Sequence, residues 1–245
     1  MIIIIKKNYD ELSKEAAKII KEAILEKPNL VLGLATGSTP LGTYQELIQM
    51  HKEGILDFSR IITFNLDEYL GLSANHPQSY HYYMKKNLFG EININPENIH
   101  IPDGTAKDVK ALCRDYEKAI QETGGIDLQI LGIGSDGHIG FNEPGTSLDS
   151  RTHVAKLAES TIRDNSRFFE KKEDVPESAI TMGVQTIFEA KKIILLASGE
   201  NKATAVAKAL EGPITSQITA SILQRHPNII VILDEKAASK LKKYG

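Results

Sequence analysis

The chain has 245 residues, 41% hydrophobic and 25% charged. These values are close to globular averages and exclude a disordered, collagen-like or disulfide-scaffold protein. Its 29 basic and 32 acidic residues leave a net charge of −3, so no basic excess exists to neutralise a phosphate backbone and nucleic acid is not an expected partner.

In chain order, Ile2 to Ile5 form a short apolar run followed by Lys6 and Lys7, the reverse of the charge order in a signal peptide. Residues 10–25 place Leu12, Ala16, Ile19, Ile20, Ala23 and Ile24 at spacings of three and four, a helical stripe. Further apolar runs at 30–35, 60–64, 126–133, 192–197 and 229–233 lack period-two alternation, the pattern of strands buried on both faces. Helices are expected over 40–53, 77–89, 106–122, 200–210 and 216–225. The longest apolar runs have five residues, as in 229–233, against about 20 for a membrane span. One cysteine, Cys113, allows no internal disulfide and fits a reducing compartment. A soluble, cytoplasmic protein with no membrane partner is expected.

Strands alternating with helices predict an α/β fold with a mainly parallel sheet and one domain over 1–245. The exception to the alternation is 160–178, which holds nine charged residues, among them Arg163, Arg167 and Asp174. A solvated helix and loop and a mobile lid over a site are the two readings, and composition favours the first.

In open α/β sheets, ligands bind beyond the carboxyl ends of the strands. Run 30–35 leads into Thr36, Gly37, Ser38, Thr39 and Pro40 before a helix. Small residues that expose backbone N–H groups at a helix start suit a phosphate, although an ordinary N-cap looks similar. Run 60–64 leads into Asn65, Leu66, Asp67, Glu68 and Tyr69. One of the two adjacent acids can face the site as a general base while the other points away. Run 192–197 leads into Ser198, Gly199, Glu200, Asn201 and Lys202. A lysine at a helix start opposes the helix dipole unless an anion lies between them.

Run 126–133 leads into the densest segment, Gly132 to Pro144. Gly132, Gly134 and Gly137 formally match a dinucleotide fingerprint, but Gly140 and Pro144 break the helix that such a motif must open. Asp136, His138 and Glu143 lie within eight positions. Flanking carboxylates orient a histidine and raise its basicity, which makes a proton shuttle near neutral pH. A metal is a further reading of this trio, weakened by the lack of paired histidines at ligand spacing. The histidines at 51, 76, 81, 100, 153 and 226 have no such company and read as structural or surface groups.

Taken in order, these pieces resemble the glucosamine-6-phosphate deaminase family. The resemblance runs along nearly the whole chain, through Leu34 to Pro40, Thr63 to Tyr69, His76 to Tyr80, Gly134 to Pro144, Ser147-Leu148, Ser150 to Thr152, Asn165 to Phe169 and Ala179 to Val184. It implies a Rossmann-like three-layer α/β/α sandwich and a reaction without cofactor or metal. Glucosamine 6-phosphate and water would become fructose 6-phosphate and ammonia, a step of amino-sugar breakdown. Asp67 would move a proton between C2 and C1. His138 would open the sugar ring, with Asp136 and Glu143 holding it. Thr36, Gly37, Ser38, Thr39, Arg167 and Lys202 would bind the phosphate, which turns the charged segment 150–178 into an expected lid.

Regulated relatives carry basic effector ligands where this chain has His153 and Ala155, and they have a longer tail beyond the last strand. Activation by N-acetylglucosamine 6-phosphate is therefore not expected. The resemblance leaves monomer and homo-oligomer both open. The nearest rival is 6-phosphogluconolactonase, whose loop continues differently after Asp-Gly-His; Glu143 favours the deaminase. A sugar-phosphate-sensing module without turnover is the other rival, and it would have no need of Asp67.

Overall fold

A computed structural model describes residues 1–166, 169, 171 and 174–242. The chain runs β1 (Ile2–Lys6), α1 (Tyr9–Glu26), β2 (Val31–Leu34), α2 (Leu41–Lys52), β3 (Ile62–Asn65), β4 (Asp67–Tyr69), α3 (Tyr80–Asn87), β5 (Ile99–His100), α4 (Val109–Glu122) and β6 (Leu128–Leu131). It continues with β7 (His153–Lys156), α5 (Glu159–Asn165), β8 (Ser178–Thr181), α6 (Val184–Phe188), β9 (Ile193–Ala197), α7 (Ala203–Glu211), β10 (Ile229–Asp234) and α8 (Glu235–Ala238).

All six apolar runs become strands of one sheet, ordered β1-β10-β9-β6-β2-β3-β5 and parallel throughout. Both faces are covered. On one, Leu32, Leu34, Ile130 and Ile194 pack against Leu12, Ala16 and Ile20 of α1 and Tyr44 and Leu47 of α2. On the other, Val31, Phe64, Leu131 and Leu195 pack against Tyr116 of α4, Ile187 of α6 and Val206 of α7. The lack of alternation in these strands follows from this double burial. The α1 stripe meets the sheet because Asn8 caps its start, its side chain accepting the Glu11 N–H at 3.0 Å.

A second, three-stranded antiparallel sheet, β4-β8-β7, stands beside the first. It places Asp67 on a strand opposite Thr181 rather than on a loop. The expected helix over 216–225 is corrected: Thr219–Arg225 is a 3-10 helix. Its residues are engaged elsewhere, since the Ala220 N–H donates to the Gly137 carbonyl (3.0 Å) and the Thr219 hydroxyl to the Asn142 carbonyl (3.0 Å). The segment therefore braces the loop after β6. Among the described residues, no helix is long and apolar enough to cross a membrane.

Candidate active site

The chain order reverses between β2 and β6: β3 and β5 build outward on one side, β9 and β10 on the other. Loops after these two strands diverge and leave a crevice, where doubly wound sheets bind ligands. A cavity of about 560 Å³ opens there. Thr36, Gly37, Ser38, Thr39, Asp67, His138 and Lys202 all line it. Seven residues from four separate stretches of chain thus meet at one place. Asp136 and Glu143 lie behind His138. Arg167 falls outside the described residues.

The loop after β2 is held from beneath. The Tyr83 hydroxyl donates to the Gly37 carbonyl at 2.6 Å, and the Tyr9 hydroxyl lies 3.0 Å from the carbonyls of Ser38 and Thr39. Gly37 turns with φ +91°, a region costly to any side chain. Within the described residues, the N–H groups of 36–39 donate to no protein acceptor. Amides grouped in this way ahead of α2 are suited to holding an anion. Across the cavity, Asp234 accepts the Ser198 hydroxyl (2.6 Å) and the Gly199 N–H (3.0 Å). This pins the turn that presents Asn201 and Lys202.

His138 is fixed by its own loop. Its N–H donates to Asp136 Oδ1 (3.1 Å), and the Gly134 N–H donates to the His138 carbonyl (2.8 Å). The ring lies directly over Gly134, where an added Cβ would come within 2.4 Å of it. Nδ1 sits 2.7 Å from Asp136 Oδ1, an ion-pair approach off the line of a straight hydrogen bond, and 3.6 Å from Glu143 Oε2. Burial pulls the Asp136 carboxyl upward, but the His138 ring and amide outweigh it and leave the group below its ordinary value. The second oxygen of Glu143 accepts the Ala158 N–H at 3.2 Å. Ala158 precedes α5, so one carboxylate ties His138 to the segment that brings Thr161 and Arg163 to the cavity. Asp136, His138 and Glu143 offer ligand atoms within 4.8 Å of one another. One imidazole between two acids is also the make-up of a proton-transfer group, and structural metal sites ordinarily carry more nitrogen or sulfur ligands.

Asp67 has the opposite environment. It is 6% exposed, and burial first, then the neighbouring Glu68 charge, raise its pKa to about 8. Gly140 passes close by: a Cβ there would lie 3.7 Å from Asp67 Oδ2. Burial, then Tyr69 and Asp67, push the Tyr80 phenol well above its ordinary value, so it remains a neutral hydroxyl in the cavity wall.

The cavity wall also includes Tyr80, Thr161, Arg163 and Asn201, which the sequence reading did not place in the site. Tyr80 and Asn201 stood inside quoted motifs, and Arg163 stood in the charged segment; their convergence depends on the second sheet.

The family model for glucosamine-6-phosphate isomerases/6-phosphogluconolactonase matches residues 6–231. The chain belongs to this family. Within it, a glucosamine-6-phosphate deaminase of Thermoanaerobacter pseudethanolicus is 58% identical over 98% of this chain and 94% of the relative. One from Halothermothrix orenii is 55% identical over 98% of this chain and 100% of its own length. A solved monomeric glucosamine-6-phosphate deaminase superposes with a TM-score of 0.96 at 50% identity, covering 98% of this chain and all of that one. The 6-phosphogluconolactonase of Trypanosoma brucei, at 22% identity and a TM-score of 0.79 over 98% of each chain, shares the family fold.

Proposed function

We propose that this protein is a glucosamine-6-phosphate deaminase, converting glucosamine 6-phosphate and water to fructose 6-phosphate and ammonia. One observation carries the reading. A buried carboxyl with a raised pKa and a carboxylate-supported histidine line the same cavity as an anion cradle. Full-length similarity to deaminases at 54–58% identity supports it.

The phosphate sits against the N–H groups of 36–39, with Lys202 and Arg167 as cations. It is remote from the reacting carbons, so its binding energy serves to position them. His138 takes the proton of the C1 hydroxyl and delivers it to the ring oxygen, which opens the pyranose. Asp67, ionised, removes the C2 proton; that electron pair forms the C1=C2 bond while the C1=O π pair moves onto O1, which takes a proton from the C2 ammonium and leaves an enolamine. Asp67 then returns the proton to C1, giving the imine at C2. Water adds to that carbon and ammonia departs. A base with a pKa near 8 holds and releases a proton readily around neutrality. The reaction needs no redox step and no cofactor.

The segment 150–178 acts as a lid in this reading, because α5 carries Thr161 and Arg163 to the cavity and is tied to Glu143. An N-acetylglucosamine 6-phosphate effector is not expected: Ala155 is buried and offers no cation, and His153 Nδ1 is 2.8 Å from the Arg151 carbonyl. A cytoplasmic place of action and a small sugar phosphate as partner complete the proposal. The test is release of ammonia and fructose 6-phosphate from glucosamine 6-phosphate, with hydrolysis of 6-phosphogluconolactone run beside it. Equal amounts of the two products are expected. Lactone turnover without ammonia would transfer the chain to the sister activity.

A further inference from the structure

Glu68, next to the proposed base, is the most enclosed acid of the site, with no exposed surface at all. It does not line the cavity, yet its carboxylate is fully engaged. Oε1 accepts the N–H groups of Tyr69 (2.8 Å) and Tyr80 (2.9 Å). Oε2 accepts the His81 N–H (3.0 Å) and lies 2.9 Å from His81 Nδ1. Two of these donors are the first amides of α3, whose start is capped by Ser79. A negative group there meets otherwise unused N–H groups and the positive end of the helix. Glu68 therefore joins β4, which carries Asp67, to α3, which carries Tyr80 into the cavity and Tyr83 to the Gly37 carbonyl.

We propose that Glu68 and His81 form a positioning pair that sets the basicity of Asp67 and, through α3, the placement of the phosphate loop. This rests on the deaminase reading for its catalytic consequence, but not for its effect on Asp67. The anion of Glu68 stands one residue from Asp67 in a water-poor setting, so it disfavours a second charge. Among the described residues, His81 supplies the one side-chain donor to Glu68, and it is partly exposed, so it connects that buried charge to the surface. The other titratable groups facing Asp67 are Tyr80 of α3 and Tyr116 of α4. His138, Arg163 and Lys202 line the same cavity. Asp103, from the segment between β5 and α4, faces His81. Substitutions at Glu68 and His81 leave all of those side chains in place.

The test is carbon-13 titration of the side-chain carboxyls in ligand-free protein, paired with kcat and KM against pH. Glu68→Gln removes the charge, and the Asp67 titration should move down by about 1 pH unit. The mismatch of a Gln amide against backbone donors threatens the fold, so His81 variants decide independently. His81→Leu leaves Glu68 less compensated, and Asp67 should titrate about half a pH unit higher. His81→Asn, which keeps a donor, should restore the wild-type position. KM should rise with Glu68→Gln while kcat at the shifted optimum is largely kept. An Asp67 titration unchanged in His81→Leu would overturn the proposal, whatever happens to activity. Variants that show these shifts, with a wild type that releases no ammonia, would refute the deaminase reading and leave the pair standing.

Discussion

Two carboxylate centres serve one cavity, Asp67 in its wall and Asp136 behind His138, and they are built in opposite ways. Asp136 stands on a glycine-rich loop with an imidazole 2.7 Å away, and that partner holds its carboxyl below the ordinary value despite burial. Asp67 stands on a short strand, enclosed, with a second acid as its neighbour and a pKa raised to about 8. Environments that drive two acids apart assign them different tasks. Asp136 remains an anion that supports His138. Asp67 can both take and give a proton near neutral pH. Substitutions can break this contrast at either end.

The largest effect is expected from Asp67→Asn. Turnover should fall by about 10³-fold or more, the upper part of the range for a general base, with substrate affinity little changed; a parallel loss of affinity would argue against the role. The same variant tests the burial. A carboxyl whose pKa is about 8 folded and 3.8 ordinarily adds stability below about pH 4 that is lost as pH rises through 8. Asn avoids that loss. The variant should therefore unfold at higher denaturant than wild type at pH 8, by on the order of a few kcal/mol, and the gap should close toward pH 4.

Next in size, His138→Gln should lower kcat by about 10²-fold and, by removing its partner, let Asp136 titrate higher. Activity close to wild type would place ring opening elsewhere. Lys202→Ala should weaken substrate binding by about 1.5–3 kcal/mol, read as KM, and an unchanged KM would remove Lys202 from the phosphate site. The smallest effect belongs to Tyr83→Phe. Losing the hydroxyl under Gly37 should raise KM about fivefold, equivalent to about 1 kcal/mol, with kcat kept. A lower kcat at constant KM would show that α3 serves the base rather than the loop.

The main sheet was legible because its central strands are buried on both faces, so 229–233 and 193–197 read as unbroken apolar runs. The second sheet was not. Its strands, Asp67-Glu68-Tyr69, His153 to Lys156 and Ser178 to Thr181, have three or four residues and mixed polarity. No periodicity survives at that length. The loop groups Thr36 to Thr39 and Asp136 to Glu143 were visible as chemistry crowded into a few positions. The enclosure of Asp67 was not, since it comes from Gly140, Tyr80 and Thr181, far away in sequence. His81 read as an unaccompanied histidine for the same reason: its partner lies 13 positions back.

The most direct measurement is a carbon-13 titration of the aspartate side chains between pH 5 and 9, on ligand-free wild-type protein and on Asp67→Asn. One carboxyl titrating near 8 in the wild type and missing from the variant is the result predicted here. If every aspartate of the wild type is ionised by pH 6, Asp67 is an ordinary exposed acid, and the contrast between the two centres fails.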